Sequence, residues 1–192
     1  MILIFEGADG VGKTTLISEY LRQSKYHWNI VNFRYPVLSK SISEMKIEQI
    51  SSYNTAFQIF KKIHNTINII CDRFWIGEFI YCVLRGYEYD FKLYGNEKKL
   101  LERFIDFTNE LNATIVYVMA HEDTLINRLE NRMDQEYIKT IDDIRLITQR
   151  YNAFFNYIRR AYFISDFIEI DTSNRNVEES VHKLIREIER KE

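Results

Sequence analysis

The sequence predicts an α/β fold, in which a doubly wound, parallel sheet of five strands is flanked by helices on both faces. Short apolar runs alternate along the chain with longer segments of helical periodicity, a pattern typical of strands joined by right-handed helical crossovers. Three of the six glycines lie together in Gly7–Gly12, directly after the first apolar run, where the backbone has to make an unusual turn. The 192 residues contain no Pro/Gly/Ser-rich linker, so we expect one domain over residues 1–192.

Five segments are predicted to form the strands. Four are short and continuously apolar, as expected of strands buried on both faces, and the second is less regular. In chain order they are Ile2–Phe5, Trp28–Phe33, Ile67–Cys71, Thr114–Met119 and Phe167–Ile170. Ligands of such sheets bind at the carboxyl ends of the strands. The residues after Phe5, Phe33, Cys71 and Met119 are therefore the places where we expect the chemistry.

Helical patterns fill the intervals between these strands. Thr14–Arg22 directly follows the glycine-rich segment, and Tyr53–Asn65 carries apolar residues at helical spacing. The other predicted helices are Ile76–Leu84, Lys98–Leu111, Asp123–Asn131, Ile141–Ala161 and Val177–Ile188. Helices of this number and spacing are enough to cover both faces of the sheet.

Composition and charge narrow the class of protein. The net charge is −2, so a general nucleic-acid binder is not expected, although a local basic site for phosphates is compatible with this balance. No apolar run approaches the roughly 18 residues of a membrane-spanning helix, and the N-terminal run is too short for a signal peptide. We therefore expect a cytoplasmic protein. Its two cysteines, Cys71 and Cys82, are expected to be reduced core residues.

The glycine-rich segment matches a phosphate-binding loop. Gly7-Ala8-Asp9-Gly10-Val11-Gly12-Lys13-Thr14 is a Walker A pattern between a strand and a helix, which makes the predicted fold a P-loop NTPase type. Its glycines let backbone N–H groups point at phosphate oxygens, and the following helix offers its N-terminus to the same anions. Lys13 is expected to reach the β- and γ-phosphates, and the Thr14 hydroxyl to bind Mg²⁺. The predicted ATP-binding residues are Gly7, Ala8, Asp9, Gly10, Val11, Gly12, Lys13, Thr14 and Thr15.

Residues elsewhere in the chain distinguish between the classes of protein that share this loop. A GTPase should carry an Asn-Lys-x-Asp guanine reader late in the sequence, and none is present. An ATPase should carry a strand that ends in Asp-Glu, whereas the strand here ends in Asp72-Arg73. An arginine at this position suits the binding of a second, phosphorylated substrate, because its forked donors match phosphate geometry. The sequence thus favours phosphoryl transfer to an acceptor.

Several motifs in order along the chain resemble the thymidylate kinase family. The opening Phe5–Thr15 looks like the phosphate loop of that family, and Asp72-Arg73-Phe74 with Tyr81 resembles its Asp-Arg-Tyr motif and later tyrosine. Arg34-Tyr35-Pro36 lies where the family has an Arg-x-Pro loop. Arg128-Leu-Glu-Asn-Arg132, followed by Asp134 and Glu136, resembles its arginine-bearing lid, here short and placed at about residues 128–140.

The resemblance implies a role for each matching residue. Asp9 would approach the 3′-hydroxyl of the acceptor deoxyribose, and Tyr81 would pack against the sugar. Arg34 and Arg73 would hold the acceptor phosphate, while Asp72 would help to position Mg²⁺. Arg128 and Arg132 would close over the transferred group. The implied catalytic residues are Lys13, Asp9, Arg73, Arg128 and Arg132, the acceptor-binding residues Asp9, Arg34, Phe57, Arg73, Glu78 and Tyr81, and the metal ligands Thr14 and Asp72.

Other interpretations of these residues stay open at the sequence level. Arg128 and Arg132 alternate with acidic residues, as on a salt-bridged helix surface. Phe57 or Phe60 is expected either to stack on the acceptor base, with Lys61 or Lys62 beside it, or to belong to the core. Tyr81 and Trp75 are likewise either pocket residues or core residues. Glu78 stands near the expected base, where it could pair with an amino group or a ring N–H, bind a sugar hydroxyl or face solvent.

The sequence therefore predicts transfer of the γ-phosphoryl group of ATP to a deoxynucleoside monophosphate, with dTMP as the expected acceptor and Mg²⁺ as the cofactor. The nearest rival is a deoxynucleoside kinase, whose acceptor is a sugar hydroxyl and in which Glu78 would be a candidate base. A binding domain without catalysis is the third possibility. The resemblance also implies a homodimer, because the family is commonly dimeric through helices on one face.

Overall fold

The computed structural model describes residues 1–33, 41–89, 95–129, 138 and 140–191. In this part of the chain, five parallel strands form one sheet: β1 (Ile2–Glu6), β2 (Trp28–Asn32), β3 (Asn68–Asp72), β4 (Thr114–Met119) and β5 (Phe167–Asp171). Their spatial order is β2-β3-β1-β4-β5. The order reverses at β1, which brings the segments after β1 and β3 together at the edge where such sheets bind ligands.

Helices cover the sheet on both sides. Their bounds are α1 (Lys13–Gln23), α2 (Ile42–Ile63), α3 (Trp75–Tyr81), α4 (Asn96–Glu110), α5 (Glu122–Leu129), α6 (Ile141–Ala161) and α7 (Val177–Glu189), and a 3-10 turn spans Cys82–Arg85. Helix α1 packs against α7, and α3 packs against α6 and α2. The predicted doubly wound fold is confirmed. No helix among the described residues has the length and apolar character needed to cross a bilayer.

The core is built from the strands and an unusual number of aromatic rings. Every residue of β1 is buried, as expected for the central strand of a sheet that is covered on both faces. Phe74 lies among the rings of Phe33, Tyr53 and Phe57, with centroid distances of 4.6, 5.3 and 4.8 Å. These rings fill the space under α2 and α3, so helix placement near the end of β3 depends on side-chain packing.

The largest difference from the predicted elements is the start of α2. The helix begins at Ile42, well before the predicted Tyr53. Ser41 and Glu44 form a capping box, in which the Glu44 carboxylate accepts from the Ser41 N–H at 2.9 Å and the Ser41 hydroxyl accepts from the Glu44 N–H at 3.4 Å. This cap satisfies donors at the helix start and offsets the weak helix propensity of the Ser-rich middle.

Candidate active site

A cleft of about 450 Å³ lies at the carboxyl ends of the central strands. Its walls are the phosphate loop with the first turn of α1, the end of β3, the end of α5 and the segment after β5. The lining residues are Asp9, Gly10, Val11, Gly12, Lys13, Thr14, Thr15, Leu16, Asp72, Arg73, Arg128, Thr172, Arg175, Val177 and Ser180. Most of the predicted donor-side residues and both members of the Asp-Arg pair thus meet in one place.

The phosphate loop needs its glycines for two physical reasons. Gly7, Gly10 and Gly12 have φ angles of 147°, 80° and 88°, in a region that side-chain-bearing residues rarely adopt. Space is the second reason, because a Cβ at Gly7 would lie 2.0 Å from the backbone oxygen of Val118. The loop therefore packs tightly on β4 before it turns into α1, whose N-terminal cap is the left-handed Gly12.

Lys13 lies buried under the loop that it follows. Its Nζ donates to the carbonyl oxygens of Gly7 and Ala8, at 2.7 Å each. Burial lowers the pKa of Lys13 to about 7, and the positive charge of Arg73 acts in the same direction. A polyphosphate in the cleft would restore the charge of this amine, since anionic oxygens stabilise the ammonium form.

Asp9, Arg73 and Tyr81 form one hydrogen-bonded cluster beside the loop. The Tyr81 hydroxyl donates to Asp9 Oδ2 at 2.8 Å, Arg73 Nη2 forms an ion pair with Asp9 Oδ1, and the same Nη2 lies 3.5 Å from the Tyr81 hydroxyl. Burial would raise the pKa of Asp9, but the charges of Arg73 and Lys13 outweigh it and hold the pKa below its usual value. The structure thus brings together three residues that the sequence resemblance assigned to the acceptor.

Thr14 and Asp72 are the predicted metal ligands. Thr14 is exposed in the first turn of α1, Asp72 is the last residue of β3, and both line the cleft. A hydroxyl and a carboxylate beside a phosphate site are the oxygen donors that Mg²⁺ prefers when phosphates complete its coordination. The residues present therefore fit this ion.

Arg128 joins the phosphate loop to the segment after β5. Its Nη1 donates to the Gly10 carbonyl at 3.2 Å and to Thr172 Oγ1 at 3.1 Å, and its Nη2 donates to the Thr172 carbonyl at 2.9 Å. Thr172 Oγ1 in turn donates to the Val11 carbonyl at 2.8 Å. Arg128 is therefore part of the cleft wall and makes these contacts with the loop itself, rather than belonging only to a salt-bridged helix surface.

Sequence reasoning missed several residues in or near the cleft, among them Thr172, Arg175 and Glu6. Thr172 and Arg175 line it from the segment after β5. The rule that ligands bind beyond the carboxyl ends of strands holds for this fifth strand as well, and it is the signal that could have found both residues. Glu6 lies fully buried at the end of β1, where its carboxylate accepts hydrogen bonds from the backbone of Phe74 and from Tyr151. Its only sequence signal is a carboxylate at the end of an apolar strand.

Two predicted acceptor residues lie away from the cleft. Glu78 is fully buried, and its carboxylate accepts from Arg85 Nη2 at 2.7 Å, from the Tyr87 hydroxyl at 2.5 Å and from the Tyr89 hydroxyl at 3.0 Å. It does not face solvent, as one of the sequence interpretations had it, because this internal network uses its lone pairs.

Phe57 is also buried, and it packs on Phe74, Phe104 and Phe107 with centroid distances of 4.8, 5.7 and 5.0 Å. Its ring belongs to the aromatic core, which corrects the interpretation of Phe57 as a base-stacking residue. Trp75 is likewise a core residue, with its indole N–H on Thr108 at 3.1 Å. Lys61, proposed beside the base, pairs with Glu110 at 2.7 Å.

Two more predicted site residues, Arg34 and Arg132, lie outside the described residues, as do Asp134 and Glu136. Arg34 was expected after the second strand, and Arg132 with the two acidic residues in the lid. The structure therefore tests neither prediction.

Comparison with known proteins extends the sequence resemblance over the whole chain. No model of a known protein family matches it. The thymidylate kinase of Campylobacter hominis is 25% identical over 205 residues, which cover 97% of this chain and 98% of the relative. The probable thymidylate kinase of Methanococcus aeolicus is 29% identical over 199 residues, covering 95% and 92%. The similarity to thymidylate kinases that the motifs predicted is confirmed.

Solved structures match the fold. A deoxyadenosine kinase from M. mycoides has a TM-score of 0.63 at 19% identity, with 99% of this chain and 100% of that chain covered. The thymidylate kinase from Candida albicans has a TM-score of 0.59 at 15% identity, with 99% and 91% covered. At such identities the likeness concerns the fold, which is the same in kinases of either acceptor class.

Proposed function

We propose that this chain, a thymidylate kinase-like P-loop kinase, transfers the γ-phosphoryl group of ATP to a deoxynucleoside monophosphate, with dTMP as its preferred acceptor and dTDP and ADP as products. The donor loop and its lysine would bind ATP, and the cluster of Asp9, Arg73 and Tyr81 would bind the acceptor. Full-length similarity to thymidylate kinases supports this choice of acceptor. We propose a cytoplasmic location for the enzyme.

The observation that carries the proposal is the position of Arg73. Its guanidinium lies next to Asp9, a residue of the phosphate loop, and the same cleft is lined by Lys13 and Thr14. A cation beside the donor loop suits an acceptor that already carries a phosphate, because two anionic groups must approach each other against their repulsion. A free nucleoside would bring no charge for this arginine to bind.

Asp9 and Tyr81 give the acceptor site its shape. Asp9 is held by Arg73 on one oxygen and by the Tyr81 hydroxyl on the other. An acceptor phosphate would bind the guanidinium of Arg73, while the Asp9 carboxylate stays close enough to accept from a deoxyribose hydroxyl. The ring of Tyr81 would lie against the sugar. These roles are those that the family resemblance implied.

On the donor side, the chain provides the groups that phosphoryl transfer requires. Lys13 and the backbone N–H groups of the loop would bind the phosphate oxygens. Thr14 and Asp72 would hold Mg²⁺, which neutralises charge on the β- and γ-phosphates when bound. Arg128, anchored on Gly10 and Thr172, would supply further positive charge, and Arg132 would add to it from the lid.

The rival function, phosphorylation of a nucleoside hydroxyl, gave Glu78 the role of a base. That carboxylate is buried and accepts hydrogen bonds from Arg85, Tyr87 and Tyr89. A base has to lie within hydrogen-bond reach of the proton that it removes. The internal partners of Glu78 therefore favour a monophosphate acceptor.

A coupled ADP-release assay with ATP and Mg²⁺ tests the proposal against a panel of acceptors: the four deoxynucleosides, their monophosphates and dUMP. We expect the highest kcat/KM with dTMP. Turnover only with free nucleosides would transfer the protein to the deoxynucleoside kinases. Tight ATP binding without transfer to any of these acceptors would contradict catalysis and indicate a binding domain.

Two substitutions then test the roles of the two cations. Lys13→Ala should abolish transfer, because it removes the charge next to the transferred group. Arg73→Ala should mainly raise the KM for the acceptor and leave ATP binding close to that of the wild type. Equal losses of donor and acceptor binding in Arg73→Ala would refute the assignment of Arg73 to the acceptor.

We also propose that the chain forms a homodimer. Ile59 of helix α2 and Ile67, just before β3, are exposed apolar residues with 50% and 37% of their surface accessible, and both line one apolar groove. Exposed apolar groups of this kind are typical of association surfaces when they lie together. Light scattering on the purified protein should give twice the monomer mass, and Ile59→Glu should lower it; a monomeric wild type would contradict the proposal.

A further inference from the structure

The carboxylate of Glu6 is completely buried at the end of β1, immediately before the phosphate loop. Its Oε1 accepts from the backbone N–H groups of Phe74 and Gly77, at 2.7 and 3.4 Å. Its Oε2 accepts from the Tyr151 hydroxyl at 3.0 Å. All three donors are neutral, and Glu6 is not among the residues that line the cleft. Glu6 interacts electrostatically with Arg73 and Lys13, and its direct contacts with the site run through the groups that it binds.

The group nearest to the chemistry is the backbone of Arg73. This residue has a φ angle of 64°, in the left-handed region that a residue with a Cβ adopts only at a free-energy cost. Two consecutive N–H groups hold it there. The N–H of Arg73 donates to the Phe5 carbonyl at 2.9 Å, and the N–H of Phe74 donates to Glu6. Residues 5 and 6 thus bind the peptide units on both sides of the Arg73 Cα.

This backbone conformation decides where the guanidinium goes. With the observed φ, the side chain of Arg73 leaves the end of β3 toward the phosphate loop and reaches Asp9 and Tyr81. An arginine at the same point with ordinary strand or helix angles would send its side chain in another direction. The two hydrogen bonds that hold the backbone at Arg73 therefore also determine the position of its guanidinium.

We propose that Glu6 is a positioning residue for the acceptor, which holds Arg73 in its left-handed conformation so that the guanidinium faces the acceptor phosphate. The proposal rests on the proposed function, since it assumes that Arg73 binds the acceptor. The second oxygen of Glu6 reinforces the arrangement through Tyr151, whose ring packs edge-on against Tyr81 at a centroid distance of 6.2 Å. Glu6 does not touch either substrate.

Two single substitutions separate hydrogen-bond geometry from charge. Glu6→Gln keeps the side-chain length and an oxygen that accepts from Phe74, and it loses the charge. Glu6→Asp keeps the charge but is shorter by one methylene group, so its carboxylate no longer reaches the Phe74 N–H. We expect Glu6→Asp to raise the KM for dTMP at least tenfold with the KM for ATP within twofold, and Glu6→Gln to stay within threefold of the wild type. The proposal would be overturned if Glu6→Gln raised the KM for dTMP more than Glu6→Asp does, or if the KM values for dTMP and ATP rose equally.

A double variant tests whether Glu6 acts through Arg73. In an Arg73→Ala background, Glu6→Asp should cause less than a twofold further change in the KM for dTMP, because the group that it positions is gone. A change as large as in the wild-type background would show that Glu6 acts by another route. The thermal unfolding midpoint of each variant is measured first, and kinetics are taken well below it.

One readout does not depend on activity. A crystal structure of Glu6→Asp should show Arg73 out of the left-handed region and its guanidinium away from Asp9. An unchanged Arg73 would overturn the inference, whatever the kinetics. If the wild-type protein transfers phosphate to no acceptor of the panel, the proposed function fails, while this structure still decides whether Glu6 sets the conformation of Arg73.

Discussion

The buried pair of Glu78 and Arg85 gives a prediction whose size can be worked out from the structure. Both side chains are inaccessible, with 1% and 0% of their surfaces exposed, and they meet at 2.7 Å. Glu78→Ala would leave the Arg85 charge buried without its carboxylate, while the hydroxyls of Tyr87 and Tyr89 would lose their acceptor. Removing one partner of a buried ion pair costs roughly 3–5 kcal/mol of unfolding free energy. For a chain of this size that corresponds to a fall in Tm of about 6–20 °C.

The same segment contains a matched control. Glu88 pairs with Arg150 at 2.6 Å, but 63% of the Glu88 side chain is exposed. Glu88→Ala should cost less than about 1 kcal/mol, because solvent screens such pairs. The double variant Glu78→Leu/Arg85→Met should recover much of the loss, since apolar residues often replace a buried ion pair at little cost.

Urea unfolding of these variants, followed by circular dichroism, provides the free energies, and the acceptor panel provides the specificity. We expect Glu78→Ala to lower the unfolding free energy. In the protein that stays folded, it should change the activity with all acceptors by the same factor. The reasoning would be refuted by a loss no greater than that of Glu88→Ala. It would also be refuted by a changed base preference at unchanged stability, which would make Glu78 an acceptor contact after all.

Three further predictions concern the donor side. The pKa of Lys13 is about 7 without phosphate, so the amine is mostly neutral at pH 8. Binding of ADP should raise this pKa, so that the protein takes up close to one proton, which calorimetry in buffers of different ionisation enthalpy measures. Lys13→Met should abolish the proton uptake. Gly7→Ala should cost several kcal/mol of unfolding free energy, because its Cβ would meet the Val118 carbonyl at 2.0 Å. Gly95 has open space around it, so Gly95→Ala should cost less than about 1 kcal/mol when both variants are unfolded in urea. Thr172→Val keeps the volume but removes the hydroxyl shared by the loop and Arg128, so the Kd for ADP should rise about fivefold or more; an unchanged Kd would contradict this.

The donor side could be predicted from the sequence because its chemistry is local. Eight consecutive residues form the loop, and the phosphate binding proposed for them uses backbone groups, whose direction depends mainly on where the glycines stand. The strands could be predicted for a similar reason, since a strand buried on both faces has a continuous apolar run. The start of α2 was not predicted, although Ser41 and Glu44 have the spacing of a capping box, because polar residues in the middle of the helix interrupt its apolar periodicity.

The acceptor side depends on contacts between distant segments, which the sequence pattern does not contain. Glu78 and Tyr81 stand three apart on α3, so periodicity alone cannot tell which of them contacts the phosphate loop. The structure shows that Tyr81 donates a hydrogen bond to Asp9, while Glu78 accepts hydrogen bonds from Arg85 and the tyrosines after it. Tyr81 is also fully buried, so its ring belongs to the core, while its role toward the acceptor stays a prediction that rests on its hydroxyl contact with Asp9.

Two buried carboxylates explain how so short a helix can be held in place beside the proposed acceptor site. Helix α3 has seven residues and includes Gly77, so it would not be stable alone. Glu6 binds N–H groups at its start, and Glu78 binds the Arg85 that follows its end. Burying a carboxylate is costly unless its hydrogen bonds are satisfied, and these two satisfy theirs with the groups that anchor the helix at both ends. The positions of Arg73 and Tyr81 therefore depend on buried polar contacts more than on helix propensity, and substitutions at either end of α3 should affect the acceptor before the donor.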